Sequence, residues 1–180
     1  MKIESNRLEN GWKEFNLIND NGMSVSILNY GGIITKIMVP DKTGKVENIV
    51  LGYEDYQDYK KDSNFFGAII GRVAGRIQGV SFNLGGNTYS LEMNEGDHHL
   101  HSGTNGFHRV IWEATPFHTE ELVGLKLKHT SVHNEGGFPG TVNVAVTYTL
   151  NSENQFNIEY EAISDHDTIL TLVLTQKGLK

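Results

Sequence analysis

Residues 94–112 read NEGDHHLHSGTNGFHRVIW and set three histidines, His98, His99 and His101, into four positions ahead of Ser102-Gly103 and an Asn105-Gly106 turn. Imidazoles this dense can serve as metal ligands, as acid–base groups, as hydrogen bonders to a polar substrate, or as part of a solvated loop. On an extended strand His99 and His101 share one face and His98 takes the other. A metal site would therefore draw a further ligand from His108, His118, His129, His133 or a carboxylate. No recognised ligand spacing supports that, and no metal is expected. His98 and His108 read as surface loop residues. His101 differs because two small residues follow it. Such a turn presents the imidazole where a ligand can come close.

The second stretch of interest is GAIIGRVAGRIQG, residues 67–79. Its glycines do not form a phosphate loop: no Lys-Ser/Thr follows, G-x-G-x-x-G is absent, and no helix comes next to hold an anion. Arg72 and Arg76 lie four apart, which on one strand would aim both guanidinium groups the same way. A guanidinium on a sheet face suits hydroxyls or carboxylates, because its fixed fork of donors sets their orientation. The alternative for Arg72 is an exposed arginine without a role.

The elements that must position these residues are predicted to be strands. Val142, Val144, Val146, Tyr148 and Leu150 alternate with mostly polar residues, and after the loop Asn151–Asn154 the alternation resumes at Phe156, Ile158, Tyr160 and Ala162. Two period-2 segments around a short polar loop predict an antiparallel hairpin with one buried face. Further strands are predicted at Glu14–Ile18, Met23–Asn29, Ile33–Val39, Val46–Leu51, Val80–Leu84, Thr88–Leu91, Val110–Glu113 and Leu122–Lys128. Only Glu54–Asp62 looks helical. The terminal DTILTLVLTQKGLK begins as a strand, with no closing turn or partner evident. Many strands, twenty glycines and three prolines predict an all-β antiparallel sandwich, one domain spanning residues 1–180.

Composition narrows the function classes. The chain has 180 residues, 38% hydrophobic and 21% charged, enough for a real core. It has no cysteine, which excludes disulfides and thiolate metal sites. A net charge of -7 argues against nucleic acid as a partner. No apolar run is long enough to span a bilayer, and the first fifteen residues lack the apolar core of a secretory signal. A soluble, cytoplasmic protein with no membrane partner is the expectation.

Four blocks, in order, carry a resemblance to the aldose 1-epimerase (galactose mutarotase) family: FFGAIIGRVAGRI, LEMNEGDHHLHSGTNGFHRVIW, GFPGTVNVAVTYTL and IEYEAISDHDT. The second is the most specific, with N-E-G, L-H-x-G, G-F and the final Trp112 at the family's spacing. The similarity extends from near the N-terminus to about Thr168. It implies a large β-sandwich of the galactose-mutarotase type that binds free hexoses such as galactose and glucose and needs no metal, nucleotide or redox cofactor.

The resemblance places the family's sugar-binding arginine on Arg76 and its sugar-contacting histidine on His101. Many members carry Asn where this chain has Gly75, and glycine where it has Ser102, a small change expected to be tolerated. Arg72, His98 and His99 match no role. Mutarotation opens a cyclic hemiacetal and closes it on the other carbonyl face. It needs a base for the anomeric hydroxyl and an acid for the ring oxygen, with donors that orient the hydroxyls. The resemblance implies an H-x-Y-F-N-L motif, whose histidine is the acid, near Thr175, and a base glutamate further on. This sequence has neither, so no catalytic residue is assigned within it. It reads as the N-terminal portion of such a sandwich, apparently truncated, of uncertain activity and prone to self-association. The alternative is a genuine short form, a carbohydrate-binding module without turnover.

Overall fold

A computed structural model describes residues 1–178. The first five strands, β1 (Lys2–Arg7), β2 (Lys13–Ile18), β3 (Ser24–Leu28), β4 (Ile34–Pro40) and β5 (Val46–Asn48), form one antiparallel sheet in chain order. Short ribbons follow: β6 (Ile69–Ile70), β7 (Arg76–Gln78), β8 (Ser81–Leu84), β9 (Asn87–Ser90) and β10 (His98–Leu100), with β8 paired to β9 and β7 paired to β10. A second antiparallel sheet contains β11 (Glu113–His118), β12 (Leu122–Ser131), β13 (Val142–Asn151) and β14 (Phe156–Ser164), again in order. The last strand, β15 (Val173–Leu174), pairs with β6.

Alternation puts the apolar positions of both sheets on facing surfaces. Phe15, Leu17, Val25 and Ile27 of the first sheet pack in one core with Leu125, Leu127, Val144, Val146 and Tyr148 of the second. Tyr148 ties the layers through a polar contact as well, its hydroxyl donating to the Gly32 carbonyl at 2.8 Å. Burying that phenol without a partner would cost about 1–3 kcal/mol. The expected antiparallel sandwich is what forms, and β13 and β14 make the predicted antiparallel hairpin, with Leu150 opposite Phe156 and Val146 opposite Tyr160.

Several elements differ from expectation. The 54–62 segment holds only a 3-10 turn, Tyr56–Lys60, capped by the Asp55 side chain and buried through Tyr59. The strand expected at Val110–Glu113 begins instead at Glu113 and runs to His118 through Pro116, which an edge strand tolerates. The terminal segment does find a partner. Val173 and Leu174 pair with Ile70 and Ile69, and the Thr175 amide donates to Ala68 O at 3.1 Å. Pairing across some hundred residues leaves no local signal. Arg72 and Arg76 do not share a face, because β6 ends at Ile70 and β7 begins only at Arg76.

Candidate functional site

The β7–β10 ribbon sets Arg76 opposite Leu100 and so brings Gly75 and His101 side by side at its end. The two residues are tied twice. The His101 amide donates to Gly75 O at 3.1 Å, and the Gly75 amide donates to His101 Nδ1 at 3.0 Å. A backbone N–H can only donate, so Nδ1 is the acceptor and the neutral ring carries its proton on Nε2. No described residue bonds Nε2, which leaves an N–H donor for a ligand. Burial, and secondarily the charge of Arg76, push the His101 pKa down, which keeps the ring neutral near pH 7. Arg76 is exposed, and Glu95 holds one edge of its guanidinium, Nε to Oε2 at 2.6 Å and Nη2 to Oε1 at 2.5 Å. This pairing lowers the Glu95 pKa and raises that of Arg76. It fixes the plane of the fork while leaving the Nη1 side free.

The turn after β10 is built to present His101. His101 and Ser102 both take left-handed backbone, φ 53° and 63°. Ser102 is buried, and its hydroxyl accepts from the Val73 amide at 2.7 Å and donates to Val73 O at 3.2 Å. Gly103 continues the left-handed turn at φ +72°, and a Cβ there would lie 2.4 Å from Glu92 Oε2, so a side chain would have to displace that carboxylate. The ring of Phe65 meets His101 edge-on at 4.7 Å and His108 edge-on at 5.0 Å. Thr175, near which the resemblance placed an acid histidine, lies behind Phe65 and hydrogen-bonds its carbonyl.

A cleft of about 370 Å³ adjoins this group, with Phe65, Glu95, Leu100, His108, Lys61 and Arg109 among its walls. A larger concavity, about 590 Å³, lies elsewhere, on the outer face of β11–β14, and its lining includes neither Arg76 nor His101.

The other sequence candidates separate from this group. His98 and His108 are not surface loop residues: His98 is half-buried in β10, and His108 is only 7% exposed. His99 is buried, with Nδ1 at 2.7 Å from Glu92 O. Arg72, 2% exposed, fills a cage of oxygens: Nε to Ser131 Oγ, Nη2 to the carbonyls of Ser131 and Val132, each 2.8 Å, and Nη1 to Pro139 O at 2.7 Å. It holds the 131–139 loop against β6 and has no opening to a ligand. Glu95, Phe65 and the Ser102 hydroxyl carry site geometry that sequence reasoning missed. Glu95 stood in the quoted N-E-G, but its partner Arg76 is 19 residues away across two ribbons.

A family model described as aldose 1-epimerase matches residues 13–174. The chain is 38% identical over 144 residues to an aldose 1-epimerase of Streptococcus thermophilus, covering 80% of this chain and 41% of that protein. To a galactose mutarotase of Sus scrofa it is 35% identical over 160 residues, 89% of this chain and 45% of that one. The crystal structure of a galactose 1-epimerase from Lactobacillus acidophilus NCFM superposes with a TM-score of 0.87 at 31% identity, over 98% of this chain and 52% of that one. The chain thus spans about half the length, or somewhat less, of the relatives it matches.

Proposed function

Because the chain belongs to the aldose 1-epimerase family, we propose that it supplies the sugar-holding side of a mutarotase site that interconverts the α and β anomers of free aldohexoses such as galactose and glucose. The observation that carries this reading is the double tie between Gly75 and His101, which fixes an Nε2–H donor at the end of the ribbon that carries Arg76, close enough for the Arg76 charge to lower the His101 pKa. In this reading Arg76 orients ring hydroxyls, while His101 donates toward the ring oxygen, where charge develops as the hemiacetal opens. His101 is a poor proton source at neutral pH, since its pKa is depressed. It positions and polarises rather than transfers. Transfer needs an acid and a base that we assign to no residue of this sequence; Thr175 stands where the resemblance would put the acid.

The test pairs a hexose-binding titration with polarimetry of freshly dissolved α-D-glucose and α-D-galactose. The expected result is binding that disappears in Arg76→Ala and falls in His101→Ala, with mutarotation by this chain alone at the spontaneous rate. Hexose binding indifferent to both substitutions overturns the assignment. Catalysis above the spontaneous rate would mean that residues of this chain complete the acid–base pair. Binding without turnover even when the rest of a family sandwich is supplied would favour the carbohydrate-binding module.

A further inference from the structure

The cleft beside His101 has an unbalanced charge inventory. Its acids are already committed. Asp62 accepts from the Tyr53 hydroxyl at 2.9 Å and from the amides of Asn64 and Phe66 at 2.7 and 2.8 Å, and Glu95 is forked with Arg76. Its cations are not. Among the described residues neither Lys61 nor Arg109 joins an ion pair, although both line the cleft. In a chain of net charge -7, this small cleft thus carries two cations with no ion-pair partner among the described residues.

Arg109 is also oriented. Its Nε donates to His108 Nε2 at 3.3 Å, and His108 is buried, with a pKa pushed down to about 3 chiefly by desolvation. The imidazole therefore stays a neutral acceptor at ordinary pH and steadies the guanidinium without consuming its terminal nitrogens. A fork held at Nε and open at both Nη groups is the arrangement that grips phosphate or carboxylate with two parallel bonds. His108, which steadies Arg109, is separated from His101 by the single ring of Phe65.

We propose that Lys61 and Arg109 form an anion-recognising arm of the hexose site, so that the chain prefers an aldohexose carrying a phosphate ester or a carboxylate over the neutral sugar. This rests on the reading of Arg76 and His101 as hexose contacts. Phosphate and carboxylate present the same planar pair of oxygens to a guanidinium, and the experiment separates them.

The full chain is titrated with glucose, glucose 6-phosphate, glucuronate and inorganic phosphate, in wild type, Lys61→Gln, Arg109→Gln and the double variant, with a thermal melt of each. Among the described residues the Lys61 side chain joins no ion pair, so Lys61→Gln keeps the test valid if Arg109→Gln disturbs His108. The expected result is at least one anionic sugar binding about tenfold or more tighter than glucose, the typical gain from charge-assisted pairing. That advantage should shrink in Lys61→Gln and vanish in the double variant, while glucose affinity holds. Preference for the phosphate ester or for glucuronate identifies the anion. Equal affinity for neutral and anionic sugars, or a preference that survives the double variant, overturns the proposal. Inorganic phosphate that binds wild type and not the double variant, with no sugar bound at all, would sink the hexose reading and leave the anion arm standing.

Discussion

Gly75 and His101 are held together by two hydrogen bonds, amide to carbonyl in one direction and amide to imidazole in the other. The second bond makes a ring orientation out of a backbone turn, so whatever stabilises the turn stabilises the donor. Ser102 does so from within. It occupies left-handed backbone at a cost of about 1–3 kcal/mol, which its hydroxyl offsets through Val73. Ser102→Ala keeps the strain and loses both bonds, and should lower stability by roughly 1–2 kcal/mol and weaken hexose binding. Ser102→Gly loses the bonds but relieves the strain, and should melt closer to wild type. A thermal melt of the two variants checks this order; equal melting of both would remove the hydroxyl from the argument.

Gly75 has φ +92° and open space around it, with no heavy atom within 4 Å of where a Cβ would sit. Asparagine accepts positive φ better than other side chains. Gly75→Asn should therefore fold with a loss of about 1 kcal/mol or less, and place an amide beside Arg76. Titration should show tighter hexose binding than wild type. Gly75→Val, β-branched at the same φ, should fold poorly, and a circular-dichroism melt would separate the two.

Arg72 makes a different kind of prediction. Removing a buried charge's partners, or the charge from its partners, typically costs about 3–5 kcal/mol. Arg72→Met should approach that loss, since it strands the carbonyls of Ser131, Val132 and Pro139, while Ser131 Oγ keeps Glu135 as a partner. Arg72→Lys should recover little, because one ammonium cannot follow the planar fork. Denaturant unfolding gives the numbers. A mild effect in both would mean that water replaces the guanidinium.

Three histidines, His101, His108 and His129, have pKa values lowered first of all by burial. A folded-state pKa below the unfolded one means that the unfolded chain binds more protons, so stability is full above pH 6.5 and falls as pH drops. For His108 the window extends from about 6.5 down to about 3, and the loss across it is on the order of 5 kcal/mol. Unfolding free energy measured from pH 7 to 4 should decline steadily. His108→Gln, which keeps an acceptor for Arg109 but does not titrate, should flatten part of the decline. An unchanged slope in that variant would contradict the assignment.

How much of this was legible in the sequence depends on the range over which each residue acts. β12, β13 and β14 announce themselves because one face is buried and the period is two. β1 does not, being polar and exposed along an edge, nor do β6 and β15, two residues each, whose pairing joins distant parts of the chain. In the site, the histidine cluster drew notice by density, yet density did not distinguish His101 from its neighbours. The small residues after it, which form the left-handed turn, did that locally; the ring of Phe65, 36 positions earlier, left no local signal. Arg72 and Arg76, alike on paper, end in opposite environments because the strand between them is interrupted.

The outer edge of β14 makes the last prediction. Among the described residues this nine-residue strand pairs only with β13, and an unpaired edge invites another strand. Its solvent face carries Asn157, Glu159, Glu161 and Ile163, the last 75% exposed. If two copies pair antiparallel about Tyr160, Glu159 of one stands opposite Glu161 of the other, and like charges directly opposite destabilise the pair. Association through β14 should therefore be weak in low salt and grow as salt screens the carboxylates. Glu159→Gln with Glu161→Gln should strengthen it, and Ile163→Glu should weaken it. Sedimentation velocity at low and high salt reads all three. A monomer under every condition and in every variant would show that this edge does not self-pair.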